Sequence, residues 1–136
     1  MSEVESGRPE GVVAAAISRL LVATTAEFTG RGPTKAKTSF GSDVITIVLE
    51  DTLTKAERGL VRDGFAGEVV AMRRAFQCTM APTLIEGIEK ITGRSVAAFL
   101  SDSHIDPDIA VETFVLTPPG TKAPAPGTPD RRGPTR

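Results

Sequence analysis

The segment Glu27-Phe28-Thr29-Gly30-Arg31-Gly32-Pro33 decides how the first half of the chain folds. Gly30 and Gly32 can adopt positive φ, which residues with a side chain resist, and Pro33 disfavours the α region for the residue before it. A helix therefore has to end here, in a turn that leads into a strand. Arg31 is placed on that turn, where its guanidinium could hold an anion or a partner's carboxylate. The alternative is a plain helix-to-strand connection with a solvated arginine.

The residues on either side of this turn predict a helix followed by a hairpin. Residues 11–28 carry apolar side chains at three- and four-residue steps, which predicts one buried helix face. Residues 34–40 alternate between polar and less polar side chains, which predicts a half-buried strand. Gly41-Ser42 then predicts a type II′ turn. The β-branched run 43–49 predicts a central strand that is covered on both faces.

The second half of the chain predicts helices and then another pair of strands. Thr54 and Glu57 have the spacing of a capping box, and Asp63-Gly64 predicts a break between a short helix and a long one. Pro82 lies inside the long helical pattern and removes one backbone hydrogen bond, so either a kinked helix or two helices would fit. Gly93 predicts the end of that pattern, as a left-handed C-cap.

The remaining apolar segments, residues 95–100 and 109–116, predict strands joined by a polar loop over residues 101–108. The order helix, hairpin, helices, hairpin predicts an α+β fold, a two-layer sandwich with a mainly antiparallel four-stranded sheet. We expect most of the six phenylalanines to meet in one core. We predict a flexible N-terminus over residues 1–10, a single domain over 11–116 and a disordered Pro/Gly-rich tail over 117–136.

The composition argues against several function classes. The formal net charge is −1 and the chain has no Trp or Tyr, which disfavours nucleic acid binding. The acidic start does not resemble a secretory signal, and the single cysteine suits a reducing cytoplasm. We see no apolar run of about 20 residues, so we expect no direct membrane insertion.

No set of residues in the sequence predicts catalysis, a cofactor or a metal. Cys78 and His104 are the only thiol and the only imidazole; we expect Cys78 to be a small buried hydrophobe on a helix and His104 to be solvated in a loop. The acidic segment 102–108 lacks the glycine and glutamate of an EF-hand, which favours a solvated turn over a cation site. Arg73-Arg74 could form an anion site, or could be one exposed arginine beside one that packs against the core.

The chain resembles the MpsC-type family, named for a sodium-translocating, membrane-potential-generating system. The resemblance spans about residues 11–116, and its motifs are Gly30-Arg31-Gly32-Pro33, Leu53-Thr54-Lys55-Ala56-Glu57, Val70 with Arg73-Arg74, Ala81-Pro82, Ile88-Glu89-Lys90-Ile91-Thr92-Gly93 and Ser101-Asp102. It implies association with membrane partners that move ions or inorganic carbon, and it transfers no catalytic residue. The segment 104–108 and the Pro-rich tail depart from the family pattern.

Together, the residues and the resemblance predict a non-catalytic cytoplasmic accessory or regulatory protein. It would bind a protein partner, such as a membrane transporter subunit, and would form a homodimer. The predicted contact surface comprises Gly30, Arg31 and Gly32, with Arg73, Arg74 and Asp102 as further candidates. Two alternatives are a soluble small-anion or metabolite sensor and a self-associating structural domain that pairs through the 44–49 strand or the long helix.

Overall fold

The computed structural model describes residues 9–119 of the chain and confirms the α+β class. The predictions of a flexible start and a disordered tail fall almost entirely on residues outside this range. The elements in chain order are α1 (Glu10–Thr29), β1 (Lys35–Phe40), β2 (Val44–Glu50), α2 (Lys55–Arg62), α3 (Ala66–Thr92), β3 (Val96–His104) and β4 (Ile109–Leu116).

The four strands form one antiparallel sheet in the order β1-β2-β4-β3. Helices α1 and α3 pack against each other, and the inward side chains of β2, Ile45, Ile47 and Leu49, are buried in the core with theirs. The opposite face of β2 is only partly buried, and Val44 is 36% exposed there. The expectation that β2 is covered on both faces is therefore wrong, because the core lies on one side of the sheet.

The core is built by the apolar stripes that the sequence indicated. Val13, Ile17 and Leu21 of α1 are fully buried, and they join the α3 residues Leu84 and Ile88. Among the phenylalanines, Phe114 is fully buried and stacks on Phe99 with 4.8 Å between ring centroids, while Phe28, Phe40 and Phe76 pack around the same core. Phe65 is the exception at 47% exposed, because it lies at the α2–α3 break.

The turn after α1 uses its two glycines in different ways. Gly30 has φ +85° and caps α1, as predicted. Gly32 does not have positive φ, and a Cβ there would lie 3.3 Å from a Val22 methyl group and 3.4 Å from the Ala26 Cβ. Glycine is therefore favoured at position 32 because the chain passes so close to α1 that it leaves little room for a Cβ, and not because of its backbone dihedral angles.

Helix α1 is long and apolar enough to cross a membrane by length and composition, the one such helix among residues 9–119. The expectation that the sequence holds no apolar segment of this length is therefore wrong. In the structure the apolar face of α1 is buried against α3 and the sheet. A core helix meets the same two criteria as a membrane span, so this property does not distinguish between them.

The β1–β2 turn and the end of β3 differ from the sequence-based expectation. The β1–β2 turn centres on Ser42 and Asp43, with the Gly41 N–H donating to the Val44 carbonyl at 2.7 Å, and Gly41 lacks the positive φ of a type II′ turn. Strand β3 continues to His104, four residues beyond the predicted end. His104 is exposed on a strand, and its Nδ1 lies 2.9 Å from the Pro107 carbonyl oxygen.

Helix α3 runs without interruption from Ala66 to Thr92, through Pro82. Of the two possibilities left open by the sequence, the structure has a single helix. Cys78 on this helix is exposed, so the expectation of a buried thiol is wrong. The capping box of Thr54 and Glu57 and the left-handed cap at Gly93 are both confirmed.

Candidate functional site

The end of β2 forms a charged turn that brings distant parts of the chain together. Asp51 has φ +62°, the one positive φ of a non-glycine residue in the described part of the chain, which aspartate tolerates better than most residues. Its carboxylate accepts a hydrogen bond from Arg31 at 2.5 Å and forms an ion pair with Arg58 of α2. The hydrogen bond from Arg31 lowers the pKa of Asp51, and the charges of both arginines act in the same direction.

Asp108, the last residue before β4, holds the loop that follows Asp51. Its Oδ1 accepts from the Thr52 N–H at 3.1 Å and the Thr52 hydroxyl at 2.9 Å, and its Oδ2 accepts from the Leu53 N–H at 3.0 Å. The Asp51 N–H donates to the Asp108 carbonyl oxygen at 3.1 Å. We call Arg31, Asp51, Thr52, Arg58 and Asp108 the polar corner.

The polar corner continues inward through two buried charges. Arg73 of α3 donates to the Thr52 hydroxyl, and its Nη1 lies 3.6 Å from Oε1 of Glu57. Arg73 is 5% exposed and Glu57 is 1% exposed. Glu57 Oε1 also accepts from the Thr54 N–H at 2.8 Å, so the N-terminus of α2 helps to hold this ion pair. Removing one partner of such a buried ion pair strongly destabilises the folded protein, because the other charge stays buried without compensation.

A third buried charge-bearing group, Glu112 of β4, lies deeper beneath α3. It is 3% exposed, and burial raises its pKa to about 7, against the opposing influence of the Arg73 charge. Within the described residues, Glu112 Oε1 and the Ser101 hydroxyl have no hydrogen-bond partner. Glu112 lines a cavity of about 20 Å³ with Arg73 and Gln77, whose amide donates to the Ser103 hydroxyl at 3.1 Å. This volume is enough for a single water molecule.

An open groove of about 500 Å³ lies on the outer side of the polar corner. Its apolar lining includes Leu53 and Val61, and its charged side chains are Lys35, Glu50, Asp51, Arg58, Asp106 and Asp108. Two cations and four carboxylates give this lining a formal charge of −2. Glu50 and Asp106 are exposed, which makes them the most accessible negative charges of the groove.

The structure brings together some of the predicted site residues and separates the others. Arg31 lies in the polar corner and Arg73 contacts it from inside, whereas Arg74 is exposed on α3. Asp102 lies on β3, exposed, with its side chain accepting from the Ser103 N–H at 2.9 Å. The guanidinium of Arg31 is already engaged within the chain: its Nε donates to the Asp51 carbonyl oxygen and its Nη2 donates to the Asp51 carboxylate.

Asp51 and Asp108 organise the polar corner, and sequence reasoning missed both of them. In the sequence, Asp108 is only one member of an acidic segment that predicts a solvated turn, and Asp51 is 20 residues from the Arg31 that it binds. No group of three or more His, Cys, Asp or Glu side chains among residues 9–119 is arranged to hold a metal ion.

Comparison with protein families gives a match over most of the chain. A family model described as "Na+-translocating membrane potential-generating system (MpsC)" matches residues 10–118. No curated protein and no solved structure matches the chain.

Proposed function

The chain belongs to the MpsC family, and from this premise we propose that it is a non-catalytic accessory or regulatory protein of a membrane ion or inorganic-carbon transport system. The match covers residues 10–118 and confirms the resemblance found in the sequence motifs. The family description supports involvement in a Na+-translocating, membrane-potential-generating system. In this proposal the protein is cytoplasmic and meets the membrane through a protein partner.

The groove at the polar corner is the observation that supports partner binding. Its walls are fixed by the hydrogen bonds of Asp108 and by the ion pairs of Asp51, so it exists before a partner binds. It combines apolar lining at Leu53 and Val61 with an accessible charged rim at Asp106. An apolar centre inside a polar rim is typical of protein interfaces, and the surplus of carboxylates favours a basic partner segment.

A small-molecule sensor is a second candidate, favoured by the volume of the groove. About 500 Å³ lies within the range of known small-ligand sites. The formal charge of −2 on the lining opposes an anion, however, because Lys35 and Arg58 face four carboxylates. The groove therefore favours a cationic group over the carboxylate, phosphate or bicarbonate that an anion sensor would bind.

The test is a crosslinked pull-down of the tagged full chain from native membranes and cytosol. Asp106→Lys reverses the accessible charge of the rim, and Glu86→Lys makes the same reversal at an exposed position on α3. We expect an integral membrane transporter subunit to be recovered with the wild type and with Glu86→Lys, and to be reduced several-fold with Asp106→Lys. Recovery of the chain alone, or equal recovery by both variants, would contradict the proposal.

Arg31→Ala tests whether the predicted contact surface acts through the polar corner. The substitution removes one of the two arginines that hold Asp51, and Arg19→Ala removes an exposed arginine of α1 as the control. We expect Arg31→Ala to weaken partner recovery while the far-ultraviolet circular dichroism spectrum stays that of the wild type. If recovery is unchanged, Arg31 and its turn do not belong to the contact surface.

A small-anion sensor would give a different result. A ligand that binds only the native state raises the melting temperature, and the increase grows with the ligand concentration relative to its dissociation constant. A panel of phosphate, bicarbonate and small carboxylates should therefore leave the melting temperature of the wild-type protein unchanged. A concentration-dependent increase that Arg58→Ala abolishes would favour the sensor over the accessory protein.

A further inference from the structure

The side of the sheet opposite the helices, which we call the open face, has an ordered chemical pattern. Residues that pair across the strands lie in rows perpendicular to them. Lys37, Val48, Val111 and Asp102 make one such row from β1 through β2 and β4 to β3, and Ser39, Thr46, Thr113 and Leu100 make the next. In these two rows one edge carries a lysine, the opposite edge carries a carboxylate, and the centre is apolar or neutral. The next row, Lys35, Glu50, Ile109 and His104, adds a carboxylate on β2 at the end of the open face that borders the groove.

The apolar part of the open face is not covered within the described residues. Leu100 is 58% exposed and Val44 is 36% exposed. Val48, Val111 and Val115 are only partly buried, although they lie on the two central strands. An uncovered apolar patch with a polar border is characteristic of an interaction surface.

We propose that the open face is the interface of a homodimer in which two sheets stack face to face, related by a two-fold axis parallel to the strands. When the axis runs midway between β2 and β4, it places β1 over β3 of the second copy and β2 over β4 of the second copy. Val48 then lies over Val111 of the second copy in the centre, and Lys37 lies over Asp102 of the second copy at the edge. Because the axis is two-fold, the Lys37–Asp102 contact occurs twice.

The charge pattern selects this orientation over the other two-fold arrangement. An in-plane axis perpendicular to the strands would place β1 over β1, which brings the lysines Lys35 and Lys37 of the two copies together. Like charges placed opposite each other across an interface are unfavourable. Only the axis parallel to the strands makes the basic edge of one copy meet the acidic edge of the other.

The packing distances of sheets are compatible with the proposed contact. Stacked sheets lie about 10 Å apart and cross at about 30°, which displaces the outer strands by about one residue, or roughly 3.5 Å, along their length. The lysine side chain is long enough to span that displacement. Within one chain, Lys37 and Asp102 lie three strand spacings apart, about 14 Å, so they do not pair with each other in the monomer.

The size of the open face sets the expected strength of the dimer. Four strands at about 4.8 Å spacing and the seven residues of β2 at about 3.3 Å each define a surface of roughly 19 by 23 Å. Two copies would bury about 900 Å², which is below the roughly 1,200 Å² of stable specific interfaces and in the range of weak, transient ones. We therefore expect a reversible dimer with a dissociation constant in the micromolar range.

Sedimentation equilibrium of the full chain at low salt, over a range of micromolar concentrations, tests the proposal. Lys37→Glu and Asp102→Lys each turn both edge contacts into like-charge pairs, so each variant should raise the dimer dissociation constant about tenfold or more. Lys90→Glu reverses an exposed charge at the end of α3 and is the control. It should leave the dissociation constant unchanged.

An equimolar mixture of Lys37→Glu and Asp102→Lys provides the decisive measurement. In the mixed dimer, the two substituted positions face each other at one edge with opposite charges, and the unchanged Lys37 faces the unchanged Asp102 at the other edge. The mixture should therefore dimerise about as well as the wild type, which also shows that both variants are folded. A wild type that stays monomeric at all concentrations, or a mixture no better than its two components, would overturn the proposal.

Discussion

Replacing Glu112 with glutamine should stabilise the protein at pH 8 by about 3 kcal/mol and have little effect near pH 4. Glutamine keeps the size of the side chain and removes its ability to ionise. Glu112 is 3% exposed, and one of its carboxyl oxygens has no hydrogen-bond partner within residues 9–119. A carboxylate in that position loses its hydration without gaining equivalent contacts, so its neutral form is favoured.

The magnitude follows from the difference in pKa between the folded and unfolded states. Burial raises the pKa of Glu112 from its ordinary value of 4.5 to about 7. Each unit of difference corresponds to about 1.4 kcal/mol. The folded state binds the proton more tightly, so the contribution of this group to stability is fully present below pH 4.5 and is lost as the pH rises through 7.

The assay is urea denaturation of the wild type and of Glu112→Gln at several pH values between 4 and 8. Subtracting the two free energies of unfolding cancels the titration of groups that both proteins share, including Asp51. The difference should grow from near zero at pH 4 to about 3 kcal/mol at pH 8. Glu86→Gln, on the exposed side of α3, is the control and should change the free energy of unfolding by less than about 0.5 kcal/mol. A difference for Glu112→Gln that does not change with pH would refute the reasoning.

Two further predictions concern packing and the polar corner, and both are measured as free energies of unfolding in urea. Asp108→Ala removes the acceptor of three hydrogen bonds and should destabilise by about 3 kcal/mol, whereas Asp106→Ala at an exposed position should cost less than about 0.5 kcal/mol. Gly87→Ala places a Cβ 2.7 Å from the Leu20 methyl groups and should destabilise by about 1–3 kcal/mol. Gly67→Ala, with open space around its Cβ on the same helix, should instead stabilise by roughly 0.5–1 kcal/mol.

The order of the elements could be predicted because each one has a local signal. The apolar stripe of α1 and the left-handed glycine at Gly30 define one helix from start to end. The Thr54–Glu57 capping box fixes the start of α2, and Gly93 fixes the end of α3. These signals act within a few residues, so they do not depend on the rest of the fold.

The polar corner could not be predicted, because its contacts join residues far apart in the sequence. Arg31 and Asp51 are separated by 20 residues, and Thr52 and Asp108 by 56. The burial of Arg73 and Glu57 also runs against the general tendency of charged helix residues to be exposed. Only the tertiary structure shows that these two charges compensate each other and that Arg74, the next residue, faces solvent.

The sequence predicts too short a β3 because, from Leu100 onward, this strand has polar residues on its helix-facing side and an apolar residue on its outer side. Ser101 and Ser103 pair with Glu112 and Ala110, on the helix-facing side of β4, while Leu100 lies on the open face at 58% exposure. A half-buried strand normally places its apolar residues toward the core. The inverted polarity of β3 therefore also leaves Leu100 exposed on the open face, where a second copy of the chain would cover this side chain.

This inversion gives a prediction that separates folding from association. Because Leu100 is 58% exposed in the monomer, Leu100→Ser should change the free energy of unfolding at low protein concentration by less than about 0.5 kcal/mol. In the proposed dimer the leucine is buried, so the same substitution should weaken dimerisation several-fold in sedimentation equilibrium. If Leu100→Ser instead destabilises the monomer and leaves association unchanged, the apolar residues of the open face serve the folding of the chain alone, and the dimer would have to be sought elsewhere on the surface.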